Sequence, residues 1–144
     1  MIVGLFPMVA DVIHAGHILA IKEAKKNCDY LIVALHCNPI YKSPVQSIFE
    51  RFIQLDSLAD VDKVIPYSNK EDAATMIASL DYDIYFLGED YKDTTFECSE
   101  LLNYLNKTIY YLQRKHMLSS SDLKHRIIVQ NSERTQENAE DNCS

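Results

Sequence analysis

Five apolar stretches of strand length, separated by segments with helical spacing, constrain this chain more than any other feature. They are residues 2–8, 30–35, 63–67, 83–87 and 108–112, rich in Ile, Val, Tyr and Phe. Most are continuously apolar and lack the alternation of a strand with one wet face. Both sides are therefore predicted to be covered, as in a parallel sheet. Between them, residues 16–26 set Ile18, Leu19, Ile21 and Ala24 along one side, and residues 47–58 repeat the pattern with Ile48, Phe52, Leu55 and Leu58. Ser68 with Glu71, and Ser119 with Asp122, stand at capping-box spacing and mark two more helix starts. Another helix is expected within residues 95–106. Strand and helix thus alternate five times, which predicts an α/β fold: a single open parallel five-stranded sheet with helices on both faces and right-handed crossovers.

The chain of 144 residues suffices for one core. Residues 1–131 are read as that domain and 132–144 as a polar, mobile tail. Residues 133–144 hold four acids against one arginine and show no apolar period. A net charge of −7 argues against a nucleic-acid partner, which needs a basic face. No apolar run is long enough to cross a bilayer, and the apolar start has no basic flank, so no membrane insertion is expected. The four cysteines, at 28, 37, 98 and 143, form no C-x-x-C pair. Reduced thiols in a cytoplasmic setting follow.

In open parallel sheets, ligands bind beyond the carboxyl ends of the strands, where strand order reverses. The loops after the first, second, fourth and fifth strands read "ADVIHAGH", "HCNPIYKS", "GEDYKD" and "QRKHMLSSS". With only three glycines, the chain has neither G-x-G-x-x-G nor a Walker A motif, which argues against a dinucleotide-binding Rossmann domain or a P-loop NTPase. A helix N-terminus still offers free N–H groups and a positive dipole end to an anion. His14 and His17 share a helix face at i, i+3, and Gly16 between them leaves room for close approach. Lys42 and Arg114 bring positive charge on other loops, and Ser119, Ser120 and Ser121 at minimum cap the last helix. Zinc would need a third ligand, for which only His36 or His116 offers itself. Cys37 has no identifiable base, Asp90 orients a ribose or caps a turn, and Tyr110 and Tyr111 read as sheet packing. Phosphate donors without a nucleophile and base point to phosphoryl or nucleotidyl transfer by positioning and charge.

"HAGH" after a first strand, with "LSSS" opening a late helix, resembles the HxGH nucleotidyltransferase superfamily. The cytidylyltransferase-like branch, of the glycerol-3-phosphate cytidylyltransferase type, is the nearest in pattern. The likeness runs from residue 1 to about 127, with "CDYLIVAL", "VDKVIP" and "DIYFLGEDY" resembling its second, third and fourth strands. Asp11, His14, Gly16 and His17 match the first motif, Arg114 and Ser119–Ser121 the late one, and Arg51 an arginine of the second helix. Met8, Ala10, Lys115 and Met117 depart from it, standing where the family has Gly, Phe, Thr and Gly. A second helical arginine is missing around Ala59 and Asp60.

The resemblance implies a Rossmann-like nucleotidyltransferase fold. It implies catalytic roles for His14, His17, Lys42 and Arg114, the histidines stabilising the α-phosphate as it becomes five-coordinate. Nucleotide-binding positions would be Met8, Val9, Ala10, Asp11, Gly16, Asp90, Ser119, Ser120 and Ser121. Mg²⁺ would accompany the nucleotide, with Asp11 either organising the first loop or facing the metal. The implied reaction joins a nucleoside triphosphate, expected to be CTP, to a phosphorylated small alcohol such as glycerol 3-phosphate, releasing pyrophosphate. Two alternatives stand beside it: adenylyl transfer from ATP to a phosphopantetheine-, flavin- or sugar-phosphate-like acceptor, and a nucleotide-binding module without turnover. A homodimer is expected by resemblance, through the surface near Arg51 and the segment leading to Val61.

Overall fold

The computed structural model describes residues 1–40, 42–89, 92, 98–113 and 119–143. Asp90, Arg114, Lys115, His116 and Met117 lie outside the described residues. Ten elements alternate: β1 (Val3–Met8), α1 (Ala15–Lys26), β2 (Tyr30–His36), α2 (Ile48–Asp56), β3 (Lys63–Tyr67), α3 (Lys70–Ser79), β4 (Ile84–Gly88), α4 (Ser99–Tyr104), β5 (Thr108–Leu112) and α5 (Ser120–Cys143). All strand pairs are parallel, in the order β3-β2-β1-β4-β5. Strand order reverses between β1 and β4, so their carboxyl ends border the crevice where such sheets bind ligands.

The continuous apolar runs are explained by two cores, one on each face. Successive side chains of a strand point to opposite sides. Leu31, Val33 and Leu35 meet Ile21 and Ala24 of α1 and Leu55 of α2 on one face, together with Phe6 and Phe86. Ile32 and Ala34 meet Met76 and Ile77 of α3 and Leu102 of α4 on the other, with Leu5, Tyr85 and Leu87. Gly4 is required by close approach: a Cβ there would collide with the ring of Phe86 and press on the Cys28 sulfur.

At the amino ends of the strands, three aspartates hold the register. Asp29, before β2, accepts the Ile2 N–H; Asp62, before β3, accepts the Leu31 N–H; and Asp83, before β4, accepts the Val3 N–H. Each occupies an end-of-sheet N–H that has no ladder partner. These carboxylates sit at the end opposite the crevice and serve stability.

One local expectation is corrected. Helix α3 is capped by Asn69, whose side chain accepts the Asp72 N–H, while Asp72 reaches back to the Ser68 N–H. The cap thus lies one residue later than Ser68 and Glu71 suggest, because Asn is as good a cap and Asp as good a partner. The polar segment from residue 132 continues α5 as helix to Cys143. Its Gln, Glu, Arg and Ala favour helix without needing a buried stripe, and side chains 124–139 are exposed apart from Lys124. Among the described residues, no helix is long and apolar enough to cross a membrane.

Candidate functional site

His14 is the N-cap of α1, and it caps through its ring: the Gly16 N–H donates to His14 Nδ1 at 2.9 Å. The His14 N–H donates in turn to His17 Nδ1 at 3.2 Å, so the two imidazoles form a reciprocal capping box. A ring nitrogen that accepts an N–H carries the lone pair, which puts the proton of a neutral imidazole on Nε2. The rings lie 4.3 Å apart between centroids. Burial pushes the pKa of His17 down to about 4, helped by the positive fields of His14 and Lys42 and opposed by Asp11. At neutral pH His17 is therefore uncharged and a single-proton donor, set at the positive end of a helix dipole.

Asp11 is the hub behind this helix start. Its side chain is buried, and its carboxylate accepts the Val45 N–H and the Gln46 N–H, each at 2.9 Å, and the Lys124 ammonium at 2.6 Å. Burial alone would raise its pKa, but the Lys124 and backbone hydrogen bonds outweigh that and hold it below the ordinary aspartate value. The Ser120 hydroxyl donates to the Asp11 carbonyl at 2.8 Å, and the Gln46 side chain accepts the Val12 N–H. Ala10 and Val12, on either side, have φ of 57° and 51°. Left-handed backbone in a non-glycine residue, above all a β-branched one, costs of order 1–3 kcal/mol. The bonds from the β2–α2 loop and α5 hold it in place.

Arg51 is 2 % exposed and ties the ends of β1 and β2 together. Its guanidinium donates to the carbonyls of Val9, His36 and Cys37 at 2.8–3.0 Å. That is a scaffold role, and it removes Arg51 itself from any subunit surface.

Residues 5–136 match the sequence model of the cytidylyltransferase-like family. The chain belongs to the cytidylyltransferase-like family. It is 28% identical to the glycerol-3-phosphate cytidylyltransferase of Bacillus subtilis over 81% of this chain and 90% of that protein. It is 38% identical over 88 residues to the bifunctional protein HldE of Shewanella sp. strain W3-18-1, covering 57% of this chain but 18% of that one. The chain thus spans under a fifth of the length of these HldE relatives. Among solved structures, a lipopolysaccharide core biosynthesis protein from Thermoplasma volcanium superposes with a TM-score of 0.63 at 28% identity, over 78% of this chain and 95% of that one. A pantoate-beta-alanine ligase from Francisella tularensis, at 21% identity and a TM-score of 0.57, shares the fold over 85% of this chain and 67% of its own.

Against the family's pattern, the structure brings together Asp11, His14, Gly16, His17, Ser119 and Ser120 at the carboxyl end of β1. Lys42 sits exposed on the β2–α2 loop, close enough for its charge to reach His17. Met8 packs partly against the core, Val9 gives its carbonyl to Arg51, and Ala10 is buried. Ser119 caps α5 by accepting the Asp122 N–H, and Ser121 is exposed. Ser120 ties α5 to this loop through the bond from its hydroxyl to the Asp11 carbonyl. Asp11 organises the loop: both its oxygens are occupied by protein donors. Among the described residues, no group of three or more His, Cys, Asp or Glu could hold a metal ion. Lys124 and Gln46 escaped the sequence reading, although Lys124 lies one turn after Ser120, on the same helix face.

Proposed function

We propose that the chain is a nucleotidyltransferase that joins a nucleoside triphosphate to a phosphorylated small molecule. An oxygen of the acceptor phosphate attacks the α-phosphorus, the bond from that phosphorus to the bridging oxygen breaks, and pyrophosphate leaves. The attacking oxygen is already ionised at neutral pH, so no general base is required. The observation that carries this reading is the pair of imidazoles whose Nδ1 atoms are used in capping. In the neutral His17 this leaves the proton on Nε2, which donates to an oxygen that gains charge in the transition state. Lys42 and Arg114 supply positive charge to the phosphates, and Asp90, Gly16 and the serines opening α5 border the nucleotide.

CTP is the expected nucleotide and a phosphorylated alcohol such as glycerol 3-phosphate the expected acceptor, in a cytoplasmic setting. Both substrates follow the resemblance to glycerol-3-phosphate cytidylyltransferase. The described side chains offer no cage for Mg²⁺, so the ion would arrive on the triphosphate oxygens, as this hard cation commonly does. Pyrophosphate release, measured with each of the four triphosphates against a panel of phosphorylated alcohols, tests the proposal. Turnover with CTP and one acceptor is expected. Turnover with ATP alone would move the chain to adenylyl transfer, and tight binding of a triphosphate without turnover would make it a binding module.

A homodimer through α2 belongs to the same proposal. Phe49 is 68% exposed and Ile53 48%, with Ile48 and Phe52 beside them on the helix that carries Arg51. Sedimentation at micromolar concentration is expected to give about twice the 16.5 kDa of one chain; a single 16.5 kDa species would reject it.

A further inference from the structure

The Lys124 ammonium meets the Asp11 carboxylate at 2.6 Å, with Asp11 at 8% side-chain exposure and Lys124 at 33%. One turn earlier on α5, Ser120 bonds the backbone carbonyl of the same Asp11. Two side chains of α5, spaced i and i+4, thus converge on one residue between two strained positions, Ala10 and Val12. From the other side, Val45 and Gln46 bring the start of α2 to it. Asp11 is three residues before His14, and its charge is felt at His17. A carboxylate there, left unneutralised, would repel a polyphosphate seated at the start of α1.

We propose that Lys124 is a positioning residue of the phosphate site: by neutralising Asp11 it lets a polyanion approach His14 and His17, and with Ser120 it fixes α5 to the loop that carries them. Lys124 acts through Asp11 and does not itself touch the nucleotide. The charge logic is simple. Asp11 and Lys124 sum to zero, so the phosphates meet the N–H groups of α1, the imidazoles and Lys42 without an opposing anion. Removing the ammonium restores that anion in a partly dry place, where its field is weakly screened. This inference rests on the nucleotide reading of the site.

The test uses the full chain, with Mg·CTP and Mg·ATP as probes in calorimetric titration, kinetics with the triphosphate that turns over, and thermal unfolding in parallel. Lys124→Met is expected to weaken triphosphate binding by at least about tenfold, raising KM more than it lowers kcat, and to lower the melting temperature. Lys124→Arg keeps the charge and should stay within about threefold of wild type. Asp11→Asn in the Lys124→Met background removes the unpaired anion and should recover at least half of the binding loss, while the melting temperature stays low because the amide NH2 cannot accept one of the Val45 and Gln46 N–H groups. If Lys124→Met binds triphosphate as wild type does, the proposal is overturned. If the double variant binds triphosphate as weakly as Lys124→Met, Lys124 touches the nucleotide directly, and the positioning role is overturned. Wild-type protein that binds neither triphosphate overturns the nucleotide reading instead, a result the first titration separates from the others.

Discussion

Replacing His14 in two ways separates its structural and chemical duties. In His14→Ala the Gly16 N–H loses the acceptor that now stands 2.9 Å away. Loss of an N-cap side chain costs about 1 kcal/mol, with a range of roughly 0.5–2. For a domain of this size that is a fall of about 4 °C in melting temperature. In His14→Asn the side-chain oxygen can take over the cap, since Asn is among the best N-cap residues, and the melting temperature should hold within about 1 °C. Neither variant retains an Nε2–H. Losing one preorganised donor of this kind costs about 10²–10³ in rate, or roughly 3–4 kcal/mol. Both variants should therefore lose kcat and kcat/KM together, with KM little changed. Steady-state pyrophosphate release and differential scanning calorimetry on the two proteins read both quantities. A His14→Asn enzyme with wild-type turnover would refute the catalytic role and leave the imidazole as a cap. A His14→Ala protein with an unchanged melting temperature would refute the capping argument.

The folded pKa of His17, about 4, lies below the ordinary 6.5, so between those values the unfolded chain binds more protons. Stability should be full above pH 6.5 and fall by up to about 3 kcal/mol as the pH drops to 4; His17→Gln should flatten that slope in denaturant titrations, and an unchanged slope would assign it elsewhere. Asp11 and Asp62, both held below 3.8, should add a further loss only beneath about pH 4. Gly4→Ala forces a methyl against Phe86 and should destabilise by about 1–3 kcal/mol in urea, while activity per folded molecule stays constant. Deleting residues 132–144 should leave melting temperature and turnover unchanged, because side chains 132–139 are exposed; loss of either would make the end of α5 a docking element.

The sheet was legible because its signal is collective. Strands β3 and β5 keep the bounds read from the sequence, and β1, β2 and β4 differ by one residue at one or both ends. A strand buried on both faces must be apolar at nearly every position, and nothing else in a chain this short needs such runs. Helix ends were less secure, because Ser, Asn and Asp compete for the cap over two or three residues. At Ser68 and Asn69 the competition is decided by which side chain meets the Asp72 N–H, which spacing alone does not determine. The helix at the polar end of α5 was not legible for a related reason: without a packed face, periodicity has nothing to report, although local propensity favours helix.

Of the candidate site, the imidazole pair was legible in the sequence and most of its supports were not. His14, Gly16 and His17 announce themselves because polar residues at a helix start after a buried strand have little packing use. Gln46 and Lys124 look, in sequence, like any charged or polar residue near a loop, Asp11 and Arg51 stand out only through the family's pattern, and only the folded chain shows what each one touches. Three of them end on backbone, and Lys124 ends on Asp11: Arg51 holds three carbonyls, Asp11 holds two N–H groups, and Gln46 holds the N–H of the strained Val12. Main-chain groups carry no sequence signature, so a network that ends on them leaves none. Yet that network sets where the imidazoles stand. The strain at Ala10 and Val12 is offset by bonds from α2, its approach and α5, elements more than thirty residues away in sequence. On the proposed reading, a donor pair that must meet a transition state to within a fraction of an ångström cannot rest on its own helix cap alone. In this fold the cap puts the proton of a neutral imidazole on Nε2, and the Asp11 hub anchors the loop that leads into that cap.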